Sequence, residues 1–120
     1  MDVSQIEDRI SSRTKAILVV HIYGLCSNMN EVNRIAKKHN LFIIEDAAEA
    51  HGLQFDQKPC GSFGNISIFS FYPNKLITTG EGGMLVTDDP LLARNSQSLR
   101  NLCLELPNDE YPSCNRSCST

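Results

Sequence analysis

The residues best suited to chemistry lie in two short segments. Asp46, Glu49 and His51 stand close together among alanines and a glycine, and Lys75 follows later, ahead of the glycine-rich segment 78–83. Small neighbouring side chains leave space for a flat ligand. The two segments therefore suit a flat ligand held between ionisable groups, provided that the fold brings them together.

Each of these residues also has a simpler interpretation. Asp46 is a favoured residue for capping the start of the next element, and a lone lysine in a loop is normally a solvated charge. Segment 78–83 matches neither G-x-G-x-x-G nor a P-loop, so its glycines could only supply turns with positive φ. Ser70, at a strand end, could bind phosphate or merely cap, and His21 is better interpreted as a strand-end histidine than as a catalyst.

Apolar patterning predicts a strand, a helix and a second strand in succession. Residues 15–21 and 41–45 are continuous apolar runs of the kind that buried strands show. Between them, Val32, Ile35, Ala36 and His39 recur at helical spacing, Asn28 with Glu31 resembles a capping box, and Asn40 is a plausible stop. Such a βαβ unit implies an α/β fold with a mostly parallel sheet and flanking helices.

The remaining elements would place the chemical residues at one edge of that sheet. The pattern predicts a short helix, a surface hairpin, two more strands and a final helix that starts at Asp89-Pro90, in the ranges 3–11, 53–59, 65–71, 84–87 and 90–103. Open α/β sheets bind ligands at the carboxyl ends of their strands. Asp46 follows the second strand and Lys75 lies just beyond the third, so we expect both at the ligand edge.

Composition excludes several classes of function. The chain has 120 residues, 41% of them hydrophobic, and a formal net charge of −3, which suits one globular domain and disfavours a nucleic-acid binder. No apolar run approaches the roughly 20 residues of a membrane span, and no signal peptide opens the sequence. Five widely spaced cysteines argue against a disulfide scaffold and show no zinc-ligand spacing. We therefore expect no metal and a location in the reducing cytoplasm.

Several longer motifs sharpen these expectations, because together they resemble the DegT/DnrJ/EryC1/StrS family of sugar aminotransferases. The likeness runs from about Val3 to Cys103. It is carried by TKAI (14–17), VHIYG (20–24), AKKHNLF (36–42), IEDAAEAHG (44–52), GSFG (61–64), FSFYPNK (69–75) and TGEGGM (79–84). The blocks around Asp46 and Lys75 are highly specific at this separation.

The resemblance implies a role for each matching residue. Lys75 would bind pyridoxal phosphate covalently and later move the proton of the reaction, and Asp46 would pair with the pyridinium nitrogen of this cofactor. Ser70 would hydrogen-bond the cofactor phosphate. Glu49, where many relatives carry Gln, would face the ring oxygen and change the local charge. His51 belongs to the motif without an assigned role.

The implied fold is part of the large domain of the fold type I, aspartate aminotransferase-like enzymes. The implied reaction transfers an amino group from an amino acid, usually glutamate, to a keto group of a nucleotide-linked deoxysugar. Relatives with His in place of Lys75 act as sugar 3-dehydratases, so the lysine favours transamination. Full-length relatives form homodimers, with the site at the interface.

Family members are several-fold longer, so we expect a truncated fragment that is inactive by itself. Residues 1–105 would form a partial cofactor-binding domain and residues 106–120 a divergent, poorly ordered tail. A non-enzymatic α/β remnant or pseudo-enzyme is the alternative.

Overall fold

The computed structural model describes residues 1–100, which fall into two compact units, 1–88 and a second that starts at Asp89. The first unit opens with a 3₁₀ turn, Val3–Gln5, and a short helix, α1 (Ile6–Arg9). Next come strand β1 (Ala16–Val20), helix α2 (Met29–His39) and strand β2 (Phe42–Asp46). Strands β1 and β2 pair in parallel, with Val20 opposite Asp46, which confirms the predicted βαβ unit.

Helix α2 begins and ends at its predicted capping residues. The side-chain oxygen of Asn28 accepts a hydrogen bond from the Glu31 N–H at 3.2 Å. Asn40 adopts a left-handed conformation, φ 52°, and ends the helix. The buried face of α2 forms the main core with the inward residues of β1 and β2: Ile17, Val19, Met29, Val32, Ile35, Ala36 and Ile43.

The predicted hairpin is confirmed as a separate antiparallel pair, β3 (Gln54–Phe55) with β4 (Lys58–Pro59). Two further strands, β5 (Ile66–Ser70) and β6 (Gly83–Val86), extend the main sheet to the order β1-β2-β5-β6. Strand β5 runs parallel to β2, and β6 runs antiparallel to β5. Helix α2 covers one face of the sheet, while Leu18 and Phe42 on the opposite face are exposed. The result is an α/β fold with a mostly parallel sheet, as expected.

The second unit contains helix α3 (Pro90–Arg100). Asp89 caps it as predicted, because its Oδ1 accepts hydrogen bonds from the N–H groups of Leu91 and Leu92 at 2.7 and 3.2 Å. The predicted boundary at residue 105 and the tail 106–120 lie outside the described residues. Within residues 1–100, no helix combines the length and the apolar character needed to cross a bilayer.

Candidate functional site

The carboxyl ends of β1, β2 and β5 meet at one edge of the sheet because these three strands are parallel. The loops that follow them bring Lys75 and Glu49 together, with 3.3 Å between Lys75 Nζ and Glu49 Oε1. The side chain of Lys75 is only 15% exposed and that of Glu49 is 33% exposed. The fold therefore joins the two segments that the sequence left far apart, through a partly buried ion pair.

A tight turn after β1 holds the other oxygen of Glu49. The Tyr23 N–H donates to Glu49 Oε2 at 2.9 Å. Tyr23 and Gly24 both have positive φ, 52° and 76°, and the Leu25 N–H closes the turn onto the Ile22 carbonyl at 3.0 Å. The Tyr23 N–H, and after it Lys75, hold the pKa of Glu49 below its usual value. Glu49 is thus a charged carboxylate fixed beside an amine.

An open cavity of about 460 Å³ adjoins this ion pair. Its lining includes both partners and the Tyr23 turn: Tyr23, Gly24, Glu49, His51, Leu53, Asn74, Lys75 and Leu76. This volume lies within the range of small-molecule sites. His51 Nε2 is buried and has no hydrogen-bond partner among the described residues, while the His51 ring lies 5.4 Å from that of Phe69, centroid to centroid. A ligand in the cavity would contact the amine of Lys75, the carboxylate of Glu49 and the ring nitrogen of His51.

Asp46 and Ser70 lie at the same sheet edge but do not line this cavity. Asp46 ends β2, and its Oδ1 accepts a hydrogen bond from the Ala48 N–H at 3.1 Å. The residues that follow form turns before β3, so Asp46 does not cap a helix there. Ser70 ends β5, and its Oγ accepts from the Tyr72 N–H at 3.3 Å. The roles of Asp46 and Ser70 toward a cofactor therefore stay predictions.

Glu45, which none of the sequence patterns singled out, is a fully buried carboxylate at the centre of the unit. Five groups among residues 1–100 donate to its two oxygens at 2.5–3.2 Å: His21 Nε2, Ser67 Oγ and the backbone N–H groups of Gly61, Phe63 and Gly64. Burial opposes ionisation most strongly, yet the hydrogen bonds from His21 and from the three N–H groups together hold the pKa of Glu45 below its usual value. Strand alternation with buried Ile43 was the available signal for an inward-pointing Glu45.

The expectation about cysteines is wrong for one pair, because the structure joins Cys26 and Cys60 in a disulfide. The two residues lie 34 positions apart, and the fold alone brings their loops together. One ring nitrogen of His21 and both sulfur atoms lie within 4.8 Å of one another. The His21 nitrogens already bond Glu45 and the Ser27 N–H, so His21 serves the fold at this position.

The chain resembles known enzymes over most of its length. The profile of the DegT/DnrJ/EryC1/StrS aminotransferase family matches residues 1–114, past Cys103. GDP-perosamine synthase of Escherichia coli O157:H7 is 54% identical over 92 residues, which are 77% of this chain and 25% of that enzyme.

Solved structures give the same result. PseC of Helicobacter pylori, an aminotransferase involved in pseudoaminic acid biosynthesis, superposes with a TM-score of 0.86 at 35% identity over 93% of this chain and 30% of that chain. The GDP-4-keto-6-deoxy-D-mannose-3-dehydratase of E. coli, solved with bound hydrated pyridoxal phosphate, gives 0.78 at 33% identity over 83% and 26%.

The chain thus spans about a quarter of the length of the curated relative and less than a third of these structures. The likenesses confirm the expected fold class, part of the α/β fold of fold type I enzymes. Together with the profile match over nearly all residues, they show that the chain belongs to the DegT/DnrJ/EryC1/StrS aminotransferase family.

Proposed function

We propose that this chain is part of a pyridoxal phosphate-dependent aminotransferase that moves an amino group from an amino acid to a keto group of a nucleotide-linked deoxysugar. The observation that carries the proposal is the Lys75–Glu49 pair, 3.3 Å apart on the wall of an open cavity. The 54% identity with a GDP-perosamine synthase supports a nucleotide sugar as the substrate class.

The residues at this sheet edge fit the cofactor in number and chemistry. When bound, pyridoxal phosphate supplies an aldehyde that condenses with amines and a ring that withdraws electrons. Lys75 would hold it covalently, Asp46 would pair with the ring nitrogen, and Ser70 would hydrogen-bond the phosphate. Glu49 would face the ring oxygen. The cavity of about 460 Å³ gives room for such a ligand beside Lys75 and Glu49, while Asp46 and Ser70 lie at the same sheet edge outside its lining. His51 Nε2, which has no hydrogen-bond partner within residues 1–100, adds a polar contact.

Lys75 has to lose a proton before it can act as a nucleophile. The carboxylate of Glu49 accepts a hydrogen bond from Nζ at 3.3 Å. It is also positioned to accept that proton when a carbonyl group arrives. The low exposure of Lys75 limits access of water to the amine, so the same group can later carry a proton to or from the substrate carbon.

The sequence also permits two other functions, sugar dehydration and a non-enzymatic role. A dehydratase from this family gives a close structural match, but the resemblance ties dehydration to His at the place of Lys75. A non-enzymatic remnant has no need to keep a paired amine and carboxylate at a cavity. The retained Lys75–Glu49 pair therefore favours transamination over both alternatives.

The test is covalent capture of the cofactor by the full 120-residue chain. The protein is incubated with pyridoxal phosphate, reduced with borohydride and mapped by mass spectrometry. We expect the pyridoxyl group on Lys75, its loss in Lys75→Arg, and its retention in the control Lys58→Arg. Labelling spread evenly over all lysines would contradict the proposal. Capture without turnover, when glutamate and a GDP-linked keto sugar are added, would support a fragment that binds but lacks the rest of the site.

We also propose that the working enzyme is a cytoplasmic homodimer. Tyr23 and Leu76, which line the cavity, are 86% and 81% exposed, and large apolar side chains at a binding site suit coverage by a second subunit. In sedimentation velocity, the whole enzyme of which we propose this chain to be a part should run as a dimer. A monomer at micromolar concentration would contradict this assembly.

A further inference from the structure

The disulfide connects two loops of the first unit, one that contacts Glu49 and one that contacts Glu45. Cys26 belongs to the loop after β1 that carries the Tyr23 turn, and the Tyr23 N–H holds Glu49. Cys60 directly precedes Gly61, whose N–H donates to Glu45 Oε2 at 2.8 Å. One covalent bond therefore ties the turn at the cavity to the loop that surrounds the buried carboxylate.

We propose that the Cys26–Cys60 bond is a redox-reversible cross-link that fastens the Tyr23 turn against Glu49, with Cys26 as the site where small thiols attack. The inference goes beyond the proposed function and stands without it, because it concerns only groups present in this chain. Disulfides are uncommon in reducing compartments, and those that form there are usually catalytic or redox-sensing. The Cys26–Cys60 bond is open to such exchange because Cys26 is only partly buried.

Burial decides which sulfur is attacked. Cys60 is 3% exposed and packs with Ala47 and Ala50 in a small core cluster, whereas Cys26 is only partly buried. A thiolate of the glutathione class attacks Cys26 Sγ, the S–S bond breaks, and Cys60 leaves as a thiolate that takes up a proton. A second small thiolate attacks the small-molecule sulfur of this mixed disulfide, and Cys26 leaves as a thiolate. The protein disulfide is thereby reduced to two thiols, and the two small thiols are oxidised to their own disulfide. Oxidation follows the reverse path with that disulfide as the oxidant.

The Tyr23 turn depends on few other contacts. Tyr23 is 86% exposed and has φ 52°, a conformation that L residues rarely adopt. Besides the nearby disulfide, the turn has the Leu25 N–H bond to the Ile22 carbonyl and the Tyr23 N–H bond to Glu49. Reduction removes the covalent anchor, so the Tyr23 N–H separates from Glu49 more often. Glu49 then loses its hydrogen bond from the Tyr23 N–H and is less firmly held. Because Glu49 also contacts Lys75 Nζ, its greater freedom alters the position of that amine.

Hydrogen exchange of single amides tests this directly in the full chain. Cys103, Cys114 and Cys118 are replaced by Ser, so that Cys26 and Cys60 are the only thiols left. The protein is compared after treatment with glutathione disulfide and after treatment with dithiothreitol. We expect the Tyr23 amide to exchange at least tenfold faster in the reduced protein. The Phe42 amide, which bonds the Lys15 carbonyl at 3.0 Å in the sheet, should keep its rate.

A variant with Cys26→Ser and Cys60→Ser should exchange at the reduced rate under both treatments. Limited glutathione should give a mixed disulfide on Cys26, and the same adduct on Cys60 would overturn the assigned direction of attack. Equal Tyr23 rates in the oxidised and reduced protein would overturn the proposal, as would free thiols after oxidation. Faster exchange at Tyr23 and Phe42 together would show a purely structural disulfide and also contradict it. Since no cofactor is added, these outcomes are independent of the proposed enzyme activity.

Discussion

Glu45 and Glu49 stand on either side of the end of β2, and the environment of each keeps its pKa below the usual value. Glu45 is fully buried and accepts from five donors of the surrounding fold. Glu49 is one-third exposed and, in the part of the chain that the structure describes, has two partners, the N–H of Tyr23 and the amine of Lys75. Two carboxylates with the same direction of pKa shift thus have different surroundings.

The difference shows how a structural carboxylate can be told from a functional one. Every contact of Glu45 comes from groups that the fold fixes in place, and none of those groups needs to move. The contacts of Glu49 come from a strained exposed turn and from a nucleophilic side chain beside a cavity. A perturbed pKa alone does not identify a functional residue, because buried hydrogen-bond networks also produce such shifts. Replacing each carboxylate should separate the two cases.

The largest effect is expected from Glu45→Gln. The amide would present N–H groups to backbone donors and leave buried partners unsatisfied, so the free energy of unfolding should fall by about 3–5 kcal/mol. Urea unfolding followed by circular dichroism measures it, with Glu49→Gln as the matched control. If the variant does not fold, Ser67→Ala, which removes one 3.2 Å bond to Glu45, should cost about 1 kcal/mol. Equal midpoints for both glutamine variants would contradict the structural role of Glu45.

A smaller loss is expected from Gly64→Ala. A Cβ at this position would meet the carbonyl oxygens of Ile43 and Ile66 at 2.9 and 3.0 Å, and neither backbone can yield easily. The loop would have to shift away from Glu45, which should cost about 1–3 kcal/mol by analogy with overpacked cores. Ser62→Ala, at an exposed position in the same loop, is the control in the same urea measurement. An unchanged Gly64→Ala midpoint would show that the loop can adapt.

Acid should destabilise the protein through Glu45. Its folded pKa is depressed, so its stabilising contribution is complete above the unfolded pKa near 4.5 and is lost as pH falls through the lower folded value. Glu7 acts in the same direction, since Lys38, His39 and Arg34 lower its pKa to about 2. Urea midpoints measured between pH 7 and pH 3 should therefore decline only below about pH 4.5. A decline that begins near pH 6 would instead indicate a histidine.

The smallest effect on stability is expected from Glu49→Gln, whose consequence should appear at Lys75. Loss of the carboxylate frees Nζ from its 3.3 Å contact with Glu49, so the amine should react faster with an acylating reagent. Competitive labelling with acetic anhydride, read by mass spectrometry with Lys58 as internal reference, should show a rise of about two- to fivefold at Lys75. A Lys75/Lys58 ratio equal to that of the original chain would mean that the ion pair does not form in solution.

Local patterns predicted much of the fold because they report local physics. Helix α2 and its caps at Asn28 and Asn40 follow from side-chain spacing and from hydrogen bonds within a few residues. The strands follow from apolar runs. The Cys26–Cys60 bond and the five donors of Glu45 could not be predicted in this way, since they join loops distant in the chain. Strand alternation could at most have pointed Glu45 inward, without naming its partners.

The amino-acid sequence by itself determined the α/β class and singled out Lys75, Asp46, Glu49 and Ser70, because residue types and motifs are written along the chain. Only the tertiary structure decided that Glu49 contacts Lys75 and the Tyr23 turn, while Asp46 and Ser70 stay beside the cavity. The tertiary structure also decided that Glu45 is buried and accepts hydrogen bonds from the loop at residues 61–64. The physical reason is that parallel strands bring their carboxyl ends to one edge, where contacts depend on register and burial rather than on spacing in the chain.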